Sequence, residues 1–431
     1  MLGVAASHTP PPAFPVLRNS LFLEHKQTPK HPKTGPDFWP RPPGFLYKLS
    51  SEESLITVPK PDNQLTKLLF VYVLWTAALV FSTSLVYLYF KNAGVSDLYL
   101  LVSSLFWSAA ALVSIWCMNR KPKIDMRILM AAGSLMYLAA FALLFLLPPT
   151  KELLFIYQFL TGAPCFFFWI PFNTLYFELA KENAATLSTV YMSMNSLLSL
   201  LLPVASGYIA QAFSFNVMFA TSLFIFLLPA VAAFMLKPRG FQYNLADSLL
   251  KTKGFKTLSF IEGVSTGGAA TVIAVISLVY FREPLGLGGF LAATTLFSVV
   301  ASLIVSRFSD KTQKRKTYIA VFGCLAAIAT IAASFGTNLA AWYGAVGVRN
   351  FFLTLFLPFT AAILVDSKRD MGKIMVGNEW ALNAGRLVGA VAVVATYLVF
   401  SNLYLSLAFV GWLLLLYPVV IELKRKHISV G

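Results

Sequence analysis

RILMAAGSLMYLAAFALLFLL, residues 127–147, decides the class of this protein. After Arg127 it carries no charge, and at about 1.5 Å per residue a helix of this length crosses the ~30 Å hydrocarbon core of a bilayer. Eleven more apolar runs of 20–29 residues lie between positions 68 and 421, divided by short polar breaks. The twelve runs fall near 68–90, 97–118, 127–147, 152–178, 185–213, 216–236, 256–281, 285–306, 316–335, 338–366, 372–399 and 402–421. Mean hydropathy is +0.71 and only 12% of residues are charged, against ~25% in soluble chains. A soluble fold could not bury this much apolar sequence and still present a wet surface. The runs are continuous rather than alternating, which excludes an outer-membrane barrel. The reading is an all-α membrane protein with twelve transmembrane helices.

The formal net charge of +16 raises the question of nucleic acid, and its distribution answers it. With the N-terminus in the cytoplasm, the two tails, the even-numbered loops and the run ends that border them hold 29 of the 34 Lys and Arg residues. The odd loops hold only Lys91, Lys151 and Arg282, and Arg349 and Arg386 lie within runs. This is the positive-inside pattern, so the basic balance reports topology, with both termini cytoplasmic in a cell membrane and no nucleic-acid partner. Cys117, Cys165 and Cys324 are isolated, and all four histidines lie in the tails. That rules out a helix-borne HExxH zinc site and an intramembrane histidine relay. No GxxxxGK[ST] frame occurs, so no ATP-driven step and no cofactor are expected.

Residues 1–66 contain 12 of the 23 prolines and no sustained period, which reads as a disordered Pro-rich cytoplasmic tail. The remaining divisions are a six-helix bundle at 67–236, an inter-bundle loop at 237–255, a second bundle at 256–421 and a basic tail at 422–431. The halves repeat. Leu68 and Lys256 open equivalent runs 188 residues apart, and Asn195 and Asn383 repeat that offset. Gly162 with Pro171 matches Gly347 with Pro358, and the basic loop 119–123 matches 307–316 at nearly the same spacing. Four landmarks near one offset indicate a duplicated six-helix unit.

The segment Ser306-Arg307-Phe308-Ser309-Asp310-Lys311-Thr312-Gln313-Lys314-Arg315-Lys316 resembles the G-x-x-x-D-R-x-G-R-R signature of the major facilitator superfamily. Asp310, Lys311, Lys314 and Arg315 match its charged positions, while Ser306 and Gln313 replace the glycines. The first-half counterpart is more eroded, with Asn119 at the acidic position and Pro122 at the second glycine. The resemblance covers 68–421 and implies two bundles rocking about a midplane cavity. It further implies that runs 1, 4, 7 and 10 line that cavity, which would place Trp75, Tyr87, Trp169, Asn173, Glu262 and Arg349 along the substrate path. At the cytoplasmic gate it would pair Glu178 with Arg120 or Lys123, and Asp366 with Lys314 or Arg315. A carboxylate at a helix C-terminus faces the negative end of the dipole, so a nearby cation would relieve it.

Ionisable groups near the bilayer centre cost roughly 2.5 kcal/mol or more, so each needs a role. Arg349 could offer a guanidinium fork to a carboxylate or phosphate, or else pair structurally with Glu262 or Glu379. Glu379, Asn383 and Arg386 follow i, i+4, i+7 spacing and form one polar stripe, read as tuning the opening between the bundles rather than touching cargo. Gly385 and Gly389 have the small-xxx-small spacing of close helix packing. The expected function is a secondary transporter for a small organic solute, anionic on the strength of Arg349. The expected partners are membrane lipid and a co-transported proton carried by Glu262 or Glu379, with the chain acting as a monomer. A lipophile or drug efflux transporter is the alternative within the class, and a non-transporting scaffold or receptor using the Pro-rich tail is the alternative outside it. An intramembrane enzyme finds no paired carboxylates, His–Ser pair or metal cluster at matched depth.

Overall fold

The computed structural model describes residues 63–179, 184–308, 315–366 and 370–423. Side chains are described for all of these except 184–193, 305–308, 315–316, 358–359 and 361–366. The described residues form twelve long helical runs. In the first half these are α1 (Asn63–Asn92), α2 (Asp97–Cys117), α3 (Met126–Leu146), α4 (Lys151–Leu179), α5 (Ala184–Ala212) and α6 (Phe215–Met235). The second half contains α7 (Lys256–Tyr280), α8 (Pro284–Phe308), α9 (Arg315–Ala333), α10 (Leu339–Asp366), α11 (Met371–Phe400) and α12 (Leu403–Leu423). Ten of the twelve are long and apolar enough to cross a membrane. Helices are the required solution, because backbone N–H and C=O groups in hydrocarbon must be satisfied within their own segment.

Most boundaries lie within a residue or two of those read from hydropathy. α1 differs, starting at Asn63 rather than 68, because its first turn (Asn63, Gln64, Thr66, Lys67) is too polar for a hydropathy window. Several ends are fixed by side-chain caps. Thr150 Oγ1 accepts from Leu153 N at 3.2 Å, and Asn402 Oδ1 accepts from Tyr404 N at 2.8 Å. Two helices are interrupted. α1 breaks at Ser84–Leu85, where the Thr83 and Ser84 hydroxyls turn back to the carbonyls of Leu79 and Val80. α4 widens into a π-turn at Cys165–Trp169, between Pro164 and Pro171. Proline removes a backbone donor, and such a bulge is one way for a helix to absorb the loss.

The halves meet along two seams. α5 packs on α8, and α2 packs on α11. The sequence repeat maps α5 onto α11 and α8 onto α2, so one seam is the pseudo-symmetry mate of the other. The first is close enough that a Cβ on Gly288 would lie 2.2 Å from the Pro203 carbonyl oxygen.

The inter-bundle segment, read from sequence as a loop, is ordered. β1 (Ile124–Asp125) pairs antiparallel with β2 (Gly240–Phe241), Ile124 opposite Phe241. The Tyr243 hydroxyl donates to the Ile115 carbonyl, and Asn119 Oδ1 accepts from Leu245 N at 2.9 Å. A short helix, Leu245–Lys251, is capped by Asn244 and reaches the second half, where Lys373 of α11 pairs with Asp247 at 2.5 Å. The segment therefore ties the α2–α3 connection to α11.

Candidate functional site

A cavity of about 490 Å³ lies between the halves. α1 contributes Thr83 and Tyr87, one on each side of its break, α2 contributes Ser104, Trp107 and Ser108, and α4 contributes Gln158. From the second half come Thr266, Gly267, Ala270 and Thr271 of α7, with Arg386 and Ala390 of α11. Gln158 Nε2 donates to the Tyr87 hydroxyl at 2.9 Å, which lies 3.4 Å from Ser103 Oγ. Hydroxyls and one amide thus face the space, and Arg386 is the charged side chain in its lining.

Arg386 is held in place from three directions. Its Nη1 donates to Asn383 Oδ1 at 3.0 Å, and its guanidinium lies 5.1 Å from the Trp107 ring centroid. Asn383, fully buried, donates in turn to the Glu379 carbonyl at 2.8 Å and to Glu379 Oε2 at 3.2 Å. The aliphatic stem of Arg386 lies against Gly267, where a Cβ would fall 2.8 Å from Arg386 Cβ. Glu262, one turn before Thr266 on α7, and Glu379 both lie within electrostatic reach of Arg386. The cluster therefore holds one guanidinium and two carboxylates, and Arg386 forms no direct salt bridge among the described residues. A guanidinium fixed by an amide and stacked on an indole keeps its fork geometry for a ligand, and this is the arrangement that recognises carboxylate or phosphate.

The close approach of α7 and α11 explains how Arg386 reaches the cavity. A Cβ on Gly263 would lie 2.0 Å from the Leu382 carbonyl oxygen, and one on Gly385 would lie 2.0 Å from that of Phe260. Gly389 meets Val264 O in the same way at 2.1 Å. Small residues let backbones touch in a bilayer, where hydrophobic association offers little. Gly385 and Gly389 thus serve packing, joined by Gly263 and Gly267 from the facing helix.

The residues singled out from sequence separate into distinct environments. Tyr87 lines the cavity. Trp75 is fully buried, stacked on Phe168 at 3.7 Å and meeting Tyr137 and Phe226 edge-on. Trp169 stands edge-on to Tyr72, Trp75 and Phe172 in the same aromatic core. Asn173 is partly buried on α4 and lies outside the cavity lining. Arg349 is 7% exposed, donates from Nη1 to Asn350 Oδ1 at 3.3 Å, and leaves its Nε without a partner among the described residues. It neither lines this cavity nor pairs with Glu262 or Glu379. α10, which the resemblance placed on the wall, contributes nothing to the lining, whereas α2 and α11 do. Arg349 and Arg386 both lie well inside their helices, as their spacing implied, but spacing did not give the direction each faces.

Glu178 pairs with Arg239 at 2.5 Å rather than with Arg120 or Lys123. The reason is the strand pairing, which brings Arg239 against the α3 start, its carbonyl accepting from Met126 N. Arg120 takes a positive φ of 59° and bonds Tyr243 O through its backbone N–H, while the Lys123 side chain lies over Gly240. Asp310, Lys311 and Lys314 lie outside the described residues, as do the side chains of Arg315 and Asp366. Thr83, Ser104, Ser108, Gln158, Thr266 and Thr271 were not singled out from sequence. The usable signal was i, i+4 spacing of polar side chains in apolar helices, as in Ser104 with Ser108 and Thr83 with Tyr87.

No family model matches the chain, and no curated protein matches it in sequence. Solved structures do match. A POT family transporter in complex with a thioalcohol-conjugated peptide aligns with TM-score 0.63 and 11% identity, over 85% of this chain and 96% of that one. The human organic anion transporter MFSD10 (TETRAN) aligns with TM-score 0.63 and 10% identity, over 84% of this chain and 100% of that one. The E. coli fucose:proton symporter FucP aligns with TM-score 0.60 and 11% identity, over 85% and 98%. With its duplicated six-helix units and central cavity, the chain has the fold of the major facilitator superfamily.

Proposed function

We propose that this protein is a secondary transporter that carries a small organic anion across the membrane by alternating access, with Arg386 as the anion's anchor. The observation that carries this reading is a cavity at the junction of the two halves whose charged lining residue is a guanidinium braced by Asn383 and Trp107. Hydroxyls from both halves surround that cation, so a bound solute touches the two bundles that must rock past each other. The likeness in fold to a POT family transporter solved with a conjugated peptide, to an organic anion transporter and to a fucose:proton symporter adds to the case. Arg349, considered from sequence for the same role, is set aside because it does not face this space.

The two carboxylates give the site a means of coupling. One guanidinium with two carboxylates is net negative, which opposes a second anion. A proton taken up by Glu262 or Glu379 as the anion enters leaves the charge of the cluster unchanged, so the two loads travel together. The basic-residue asymmetry supports a cytoplasmic location for both termini and the 237–255 segment. Gln242→Cys, at an exposed position of that segment, should label with an impermeant reagent only after cells are permeabilised.

The test is binding by purified protein to a panel of organic anions, followed by uptake into proteoliposomes with an inward proton gradient. Arg386→Ala should weaken anion affinity more than about tenfold, since truncating one partner of a hydrogen-bonded charge pair commonly costs about 2–5 kcal/mol. Arg386→Lys should recover only part, because a point charge does not reproduce the fork. Unchanged affinity in a folded Arg386→Ala protein would refute the anchor.

A further inference from the structure

A second cavity, of about 240 Å³, opens off the first and shares Thr83, Tyr87, Trp107 and Gln158 with it. Its remaining lining comes from the first half alone: Leu79, Val86, Tyr137, Tyr157 and Thr161. No charged side chain lines it. Four rings therefore bound a small uncharged recess that begins at Trp107, the same indole that stacks under Arg386.

The walls of this recess are fixed. Tyr137 stacks on Phe226 at 4.9 Å with an interplanar angle of 5°, and Tyr157 meets Phe141 edge-on at 5.6 Å. Both tyrosines are largely buried, at 6% and 3% exposure, and neither phenol hydroxyl makes a hydrogen bond among the described residues, yet neither is sealed in without a partner, so each is open to the recess. A buried tyrosine normally finds a partner. Thr161 spends its proton on the carbonyls of Tyr157 and Gln158, which leaves its oxygen free to accept. The recess thus combines flat apolar walls with polar groups that lack a protein partner. A ~150 Å³ apolar cavity admits benzene, so this one takes a single substituted ring.

We propose that the solute is a monocyclic hydroxylated aromatic acid, its acid group on Arg386 and its ring in the recess bounded by Tyr137 and Tyr157. Because Trp107 forms a wall of both cavities, the link between acid and ring is short. This inference rests on the anion-transporter reading and narrows it. Such a ligand is gripped by its charge from the second half and by its ring from the first, so a full set of contacts forms only when both halves close on it.

Wild-type full-length protein decides the matter with four probes measured by calorimetry: 4-hydroxyphenylacetate, phenylacetate, hexanoate and neutral 4-hydroxyphenylacetamide. The expected order is 4-hydroxyphenylacetate, then phenylacetate, then hexanoate, spanning at least about tenfold in Kd, with the amide weakest. Tyr157→Phe should erase the advantage of the hydroxylated acid over the plain one, and Leu79→Trp, by filling the recess, should erase the advantage of either ring over hexanoate. Hexanoate binding as tightly as both aromatic acids would overturn the ring site while leaving the anion site standing. Amide binding equal to that of the acid would overturn the anchor itself, as would failure of every acid to bind.

Discussion

Where α1 carries Trp75, the equivalent position of α7, 188 residues further on, carries Gly263. One repeat position thus holds the bulkiest side chain in the first half and none in the second. Around Trp75 the first half builds a core of packed rings, stacked on Phe168 and edge-on to Tyr137, Trp169 and Phe226. Around Gly263 the second half instead lets the α7 and α11 backbones touch. Charge divides the same way. In α1 to α6 the charged side chains lie in the first or last turns, whereas Glu262, Arg349, Glu379 and Arg386 all lie deeper in the second-half helices. The duplicated unit has diverged into one half that supplies shape and one that supplies charge, and the cavity at their seam takes a ring-lined wall from the first and a guanidinium from the second.

The most damaging way to break this contrast is to give the second half the bulk of the first. Gly263→Leu places atoms where even a Cβ lies 2.0 Å from the Leu382 carbonyl, and no rotamer relieves a clash with backbone. The expected outcome is loss of monodisperse protein on size exclusion, with Gly263→Ala showing a lowered Tm in detergent. The reciprocal change, Trp75→Ala, opens a hole in the aromatic core and should cost about 3–5 kcal/mol. Trp75→Phe should restore most of the Tm, since it can keep the stack on Phe168. Because Trp75 lies outside the cavity lining, anion affinity of the folded Trp75→Phe protein should stay near wild type. A large affinity loss there would show that the two halves do not divide shape and charge as described.

The smallest effect concerns how each half holds the inter-bundle segment. The first half grips it through a strand pair and the Tyr243 hydroxyl, the second through the half-exposed Asp247–Lys373 pair. The hydrogen bond from Lys373 holds the Asp247 carboxyl below its usual range. A depressed carboxylate contributes stability above its unfolded pKa of ~3.9, and loses it as pH falls through the folded value. Asp247→Asn should therefore lower Tm slightly at pH 7, and the difference from wild type should shrink as pH falls below about 4 and vanish only once the folded carboxyl is itself protonated. A Tm gap that persists at low pH would mean that Asp247 acts through packing rather than charge.

The twelve helices were legible because length and apolarity are properties of the chain itself. So was the duplication, and so was the packing role of Gly385 and Gly389, whose four-residue spacing puts both on one face. The same spacing at Gly263 and Gly267 went unread, although it marks the other side of that contact. The site was legible only in part. Tyr87 and the linked run of Glu379, Asn383 and Arg386 were visible, but Arg386 was read as tuning the opening between the bundles and Arg349 as facing the substrate. Hydropathy also passed over Ser104, Thr83 and Thr271, since a hydroxyl that bonds the preceding turn hardly disturbs an apolar run.

What the sequence by itself determined is what a bilayer enforces locally. Each span must satisfy its own backbone over about 30 Å, so composition along the chain fixes class, span number and boundaries. What only the tertiary structure decided is direction around each helix axis. An apolar helix in lipid has no wet face to mark which side is inside, so Arg349 and Arg386 were equivalent by depth. The glycine contacts of α7 with α11 turn Arg386 toward the cavity, while Arg349 is left buried outside it. The partner of Glu178 was decided in the same way, by a strand pair between segments more than a hundred residues apart that no local pattern encodes.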